Sequence, residues 1–160
     1  MKRIFLFVAA IATTLVQTTF AQEQQNARNA NTSVLESYYS LKNALVAGNA
    51  NLANAKAVEL TKSIESDDSK TIGDKEKAEL LKHSAKVSQT KDIKAQREHF
   101  APLSVAMITL AKSGKLSSDP IYVQYCPMKK SSWLSSEKPV KNPYYGSAML
   151  TCGKVSETIN

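Results

Sequence analysis

The chain has 160 residues, with 21 Lys and Arg against 14 Asp and Glu and a formal net charge of +7. That length suits one domain with a real core. The lysines are scattered among acidic residues. Beyond the N-terminus Lys129 and Lys130 are the only adjacent basic pair, with no interleaved aromatics, which argues against nucleic-acid binding.

Lys2 and Arg3 precede the apolar run "IFLFVAAIATTLV", and "TTFA" follows. A positive start, an apolar stretch and small residues at Thr19 and Ala21 predict a signal peptide over 1–21, cleaved near Ala21. The run is too short for a convincing membrane span, so no stable membrane insertion is expected after cleavage. No cysteine lies beside the cleavage point to carry a lipid. Of the 160 residues 139 then remain, and the loss of Lys2 and Arg3 lowers the charge from +7 to +5. Residues 22–32 read as a flexible segment, and 33–160 as a single domain. Export implies the periplasm, an oxidising compartment where two cysteines by default form a disulfide.

A helical part is predicted over about 33–113. Ser33 and Glu36 form a capping box before a first helix with the apolar stripe Val34, Tyr38, Leu41 and Leu45. Gly48 ends it. Asn51 is expected to cap a second helix with the stripe Ala53, Ala57, Leu60 and Ile64. Asp74 is expected to cap a third, with Ala78, Leu81 and Ala85 on one side. Asp92 caps a fourth, with Ile93, Phe100, Leu103, Met107 and Leu110 inward, Pro102 inside it and Gly114 as its stop. The connections are short. The expected class is therefore mainly α, an antiparallel four-helix bundle followed by a small C-terminal β/loop tail.

The tail spans about 119–156. "PIYVQYC" reads as a strand, "SSWLSSEKPVKNPYYGS" as ordered loop, and "AMLTCGKV" as a second short strand that pairs with the first or packs nearby. That arrangement would bring the two cysteine segments together.

The chemistry concentrates there. Cys126, Met128, Met149 and Cys152 offer four sulfurs in two short clusters. Soft thiolate and thioether donors favour Cu(I) or Ag(I). Met128 and Met149 could equally fill gaps in a core, which is the simpler reading of Met107. A Cys126–Cys152 disulfide is the competing state, closing a loop of about 25 residues worth roughly 3 kcal/mol. Zinc fits less well, since a structural site takes four Cys or His ligands. His99, beside the fourth stripe, is either a boundary histidine or an auxiliary ligand. His83 reads as surface. Trp133, Tyr144 and Tyr145 read as anchors for the tail, with Trp133 also able to present its ring to a cation. Enzyme signatures are missing: there is no G-x-S-x-G, P-loop, Gly-rich dinucleotide turn or C-x-x-C. The protein is therefore expected not to be an enzyme.

The tail "YCPM…SWLSSEKPVKNPYYGSAMLTCG", with "YYSLKNALVAGNANLANAKAVEL" and "QREHFAPLSVAMITLAKSG", resembles domain of unknown function family 3347. The resemblance runs from about Tyr38 to Val155, with Asn49 where an acidic residue is expected. It implies exported bacterial proteins, which also occur fused to periplasmic adaptor subunits of copper and silver efflux pumps. The tail is more loosely similar to the short heavy-metal motif of such adaptors. On that match Tyr125, Cys126, Pro127, Met128, Met149, Cys152 and Gly153 carry over. The motif's second C-x-x-C is absent, which moves the implied metal from zinc towards Cu(I) or Ag(I). Asn142, Pro143, Tyr144, Tyr145 and Gly146 would support the site with Trp133. The function implied is buffering of the metal or its delivery to an efflux system, with an efflux adaptor as partner. The alternative is an interaction module for an efflux adaptor or envelope partner, with the cysteines joined and no metal.

Overall fold

The computed structural model describes residues 34–68, 71–114 and 116–160. The expected signal peptide, the segment 22–32 and Ser33 of the capping box lie outside the described residues.

Four helices come first. α1 is described over 34–46, and its predicted stripe is buried throughout: Val34, Tyr38, Leu41 and Leu45 are all within 1 % exposure. Gly48 ends it at φ +69°. The Gly48 N–H donates to Leu45 O, and the Asn49 N–H to Ala44 O, a Schellman stop. α2 (Ala50–Glu65) follows at once. Its cap is Asn49, whose side chain accepts from the Leu52 N–H at 3.0 Å, and not Asn51, which lies inside the helix. The left-handed glycine releases the chain at Asn49, so the cap falls two residues earlier than expected. The stripe Ala53, Ala57, Leu60 and Ile64 is buried as predicted.

α3 (Asp74–Ser88) begins after Gly73, not after a capping Asp74; Asp74 and Glu76 sit in its first turn, where they complement the helix dipole. Its inward face is Leu80, Ser84 and Val87, while Ala78 is exposed and Leu81 and Ala85 are only partly buried. Leu80 and Leu81 are adjacent, and the one that shares a face with Val87 was the one to choose. α4 (Ile93–Ser113) is capped by Asp92, which accepts from the Lys94 N–H at 2.8 Å, and stopped at Gly114. It buries Phe100, Leu103, Met107 and Leu110 and contains Pro102. α2 packs on α3 and α3 on α4. Among the described residues no helix is long and apolar enough to cross a membrane.

The C-terminal part is a three-stranded antiparallel sheet in the order β2-β1-β3. β1 (Ile121–Cys126) is the predicted strand and lies in the middle. β2 (Ser131–Ser135) occupies residues expected as loop: it pairs with β1 from Tyr122–Ser135 to Cys126–Ser131. Its serines hid it, because Trp133 and Leu134 are both buried and leave no alternating pattern. β3 is Lys154–Ile159, later than "AMLTCGKV" suggested. Gly146–Met149 instead forms a single 3-10 turn, and the strand starts only after Gly153.

The two parts share one core. The Tyr38 hydroxyl lies 2.7 Å from Ser104 Oγ on α4 and accepts from the Leu134 N–H of β2 at 3.2 Å. β2 is a sheet edge. Its inward N–H would otherwise be buried and unpaired. α4 also packs directly on β2. Tyr38→Phe keeps the ring but strands the Leu134 N–H. It is expected to cost about 1–3 kcal/mol, read as a lower urea midpoint with an unchanged slope; an unaltered midpoint would refute this role.

Candidate functional site

Cys126 is the last residue of β1, and the four residues Pro127–Lys130 turn the chain into β2. Pro127 has no N–H, so Met128 and Lys129 supply the first donors of the turn. Both backbone N–H groups lie near the Cys126 sulfur and, with the Asn142 side chain, favour its thiolate. Lys130 closes the turn at φ +53°. Lys129 forms an ion pair with Glu98, which ties the turn to α4.

Cys152 reaches the same place from the other segment. Its sulfur lies 3.4 Å from that of Cys126, and both are free thiols. The Asn142 amide donates to Cys152 O at 2.7 Å, while its N–H donates to Leu150 O at 2.8 Å and its side-chain oxygen accepts from the Tyr144 N–H. One fully buried asparagine therefore ties the loop at Leu150 and at Cys152 and also faces Cys126. Gly153, at φ +146°, lets this loop lie flat on the sheet: a Cβ there would meet Tyr125 O at 2.9 Å and the Trp133 ring at 3.1 Å.

The surrounding residues divide plainly. Trp133 is fully buried and meets Tyr144 edge-on at 5.8 Å. Tyr144 donates from its hydroxyl to Ser132 O at 2.8 Å. Pro143 is buried and Tyr145 partly so. Gly146, at φ +57°, lies against Arg97 and Val46 O, where no Cβ would fit. Tyr125 is partly exposed and Pro127 exposed. Met128 is 65 % exposed, so its side chain projects into solvent while its N–H faces the sulfurs. Met149 is partly buried, and its carbonyl accepts from the Cys152 N–H at 3.1 Å. His99 is partly buried on α4. Among the described residues no three His, Cys, Asp or Glu gather where an ion could sit, so His99 is not brought to the sulfurs. His83 differs from its surface reading: its side chain is 15 % exposed and its Nε2 lies 3.2 Å from Glu79.

The two thiols are unequal. Cys126 has no solvent exposure, and Cys152 is partly open. Burial pushes the Cys126 thiol up. The donors outweigh it, namely the Lys129 N–H, the Cys152 thiol, the Asn142 amide and the Met128 N–H, so Cys126 is held below the usual thiol value. Cys152 is pushed up, chiefly because its hydrogen bond to Cys126 is lost on ionisation, then by burial and by the Cys126 charge. The pair shares one proton, and its two ionisations belong to the pair. Sequence reading found both cysteines and their neighbours. It missed the backbone donors, for which Cys-Pro at the end of a strand was the available sign, and it missed the Glu98 tie.

Residues 34–119 match the profile described as "Protein of unknown function (DUF3347)". The chain belongs to this family. The DUF3347 match spans the described helices α1–α4 and ends before β1, so the paired thiols lie C-terminal to it. No curated protein and no solved structure matches the chain.

The inequality can be measured. Thiolate absorbance near 240 nm should titrate in two steps, one below and one above the ordinary thiol value of roughly 8.5. Below that value the native pair binds fewer protons than the unfolded chain, so stability rises with pH; above it the native pair retains a proton, and stability falls. Relative to Cys126→Ser/Cys152→Ser, the wild type should show a stability maximum near the ordinary thiol value. A single unshifted step would contradict the shared proton.

Proposed function

We propose that the protein is an exported, non-enzymatic binding protein for Cu(I) or Ag(I). It buffers the metal or passes it to an efflux system through a periplasmic adaptor. The carrying observation is the approach of two sulfurs to 3.4 Å inside a set of N–H donors that already stabilise a thiolate. Paired thiolates select soft monovalent ions. At metal–sulfur distances of about 2.3 Å, two sulfurs on one ion lie about 3.8–4.6 Å apart, so the pair would open slightly. Binding would also release the proton held between them. Met128 and Met149 are the thioethers within the same two segments, suited to completing the set, whereas two thiolates alone fall short of a structural zinc site.

The four helices are read here as an antiparallel bundle, supported by the short α1–α2 and α3–α4 links and by the packing of α2, α3 and α4 in chain order. The bundle serves as the rigid support for the tail. Cleavage of a signal peptide near Ala21 and a periplasmic location rest on the pattern of residues 1–21. The second reading, an interaction module with Cys126 and Cys152 joined, draws on the same close approach.

Titration of reduced protein with Cu(I) against a competing chelator should give stoichiometric binding that disappears in Cys126→Ser/Cys152→Ser. Free Cu(I) at a hundredfold excess over Kd should raise stability by about 2.7 kcal/mol. Absence of binding, or binding untouched by the double substitution, would refute the metal reading.

A further inference from the structure

We infer that Cys152 is a site of S-thiolation by external disulfides, and that Cys126 is the internal thiol that resolves the adduct to a Cys126–Cys152 disulfide. The inference uses the same two thiols as the proposed function but needs no metal.

Access sets the order. Cys126 is covered completely, beneath the turn and Asn142, so a molecule bearing a disulfide cannot approach it. Cys152 is partly open, on a segment that runs over the surface between Leu150 and Gly153. Entry is therefore through Cys152. Cys152, as its thiolate, attacks one sulfur of the external disulfide, its proton passing to solvent. A Cys152–S–S–R bond forms, the R–S–S–R bond breaks, and the departing RS⁻ takes up a proton from solvent.

Resolution follows from the same geometry. Cys126 is the second thiol of the pair, 3.4 Å away. It lies beside the Cys152 sulfur that is now its target. Attack forms the Cys126–Cys152 bond and expels the second RS⁻, and the proton that Cys126 gives up passes through solvent to RS⁻. The protein loses two electrons, and the external disulfide becomes two thiols. Closure from 3.4 Å to the usual disulfide length of about 2.05 Å requires a shift of roughly 1.4 Å. The shift falls to the Cys152 side, which lies on a loop outside the sheet, since Cys126 ends a central strand. The closed form has no thiolate to offer.

The test uses reduced, metal-free protein in chelator with one equivalent of 5,5′-dithiobis(2-nitrobenzoate). Two equivalents of nitrothiobenzoate should be released, with an intact mass two hydrogens lower and no adduct. Cys126→Ser should stop at a stable adduct on Cys152 with one equivalent released. Cys152→Ser should react at least about tenfold more slowly, because only the covered sulfur remains. Peptide mapping of briefly quenched wild type should find the first adduct on Cys152, which covers the case of a variant that folds poorly. A persistent wild-type adduct, or first modification at Cys126, would overturn the inference. Failure of Cu(I) binding would leave these results unchanged, so the two readings fail separately.

Discussion

The buried hydroxyl of Tyr38 is the contact on which the arrangement depends. One oxygen joins α1 to Ser104 on α4 and to the backbone of β2. Burial pushes its ionisation far up, so it remains a neutral phenol able to donate and accept at once. The ring continues the connection. Tyr38 stacks on Phe100 at 5.3 Å, Phe100 meets Tyr144 at 5.9 Å, and Tyr144 meets Trp133 at 5.8 Å. Trp133 in turn lies under Gly153, the residue after Cys152. An unbroken line of aromatic contacts thus runs from the first helix to the thiol pair. Such contacts resist sliding, because each ring is held by its neighbours at a defined angle.

Polar groups inside this core are placed as ties between elements. Gln96 is fully buried and donates to Ala50 O and Thr90 O, which fixes the start of α4 against the start of α2. Gln124 donates across to the carbonyls of Glu137, Lys138 and Pro139, holding the loop after β2. Lys42 is the costliest member. It is 2 % exposed, and its Nζ reaches Ser135 Oγ at 3.4 Å and lies 5.9 Å from the Tyr39 ring. Burial lowers its pKa, partly offset by Glu137. Its bond to Ser135 joins α1 to the end of β2, one more tie between the helices and the sheet.

The helices were readable where apolar residues alone set the face. In α1, α2 and α4 the stripes stand at spacings of three and four with few competitors. α3 was misread because Leu80 and Leu81 are neighbours and because Ser84, buried through its bond with Thr61, carries no apolar signal. Local competition also misplaced the α2 cap, since "NAN" offers two asparagines and only the preceding left-handed glycine decides between them. In the tail the limit was different. "MLTC" has strand-forming composition, but Asn142 claims the Leu150 and Cys152 carbonyls, and a ladder could not use them as well. The meeting of the cysteine segments was foreseeable from their strands. The direction of the turn's N–H groups was not, because it depends on the Lys130 conformation as much as on Pro127.

That direction determines what the thiol pair can do. The groups that stabilise Cys126 are dipoles of the turn and an amide, not a lysine or arginine; Lys129, the nearest cation in sequence, is engaged with Glu98. A thiolate stabilised by a cation is already neutralised and attracts further positive charge weakly. One stabilised by neutral donors keeps its full charge in a covered place, where attraction to a cation is strong. The same thiolate is an effective nucleophile towards a sulfur brought beside it. The proposed metal capture and disulfide closure would therefore draw on one local feature, and both would consume the same sulfur electrons. A pair built this way would carry a soft ion only while reduced, so the oxidation state of Cys126 and Cys152 would govern its loading.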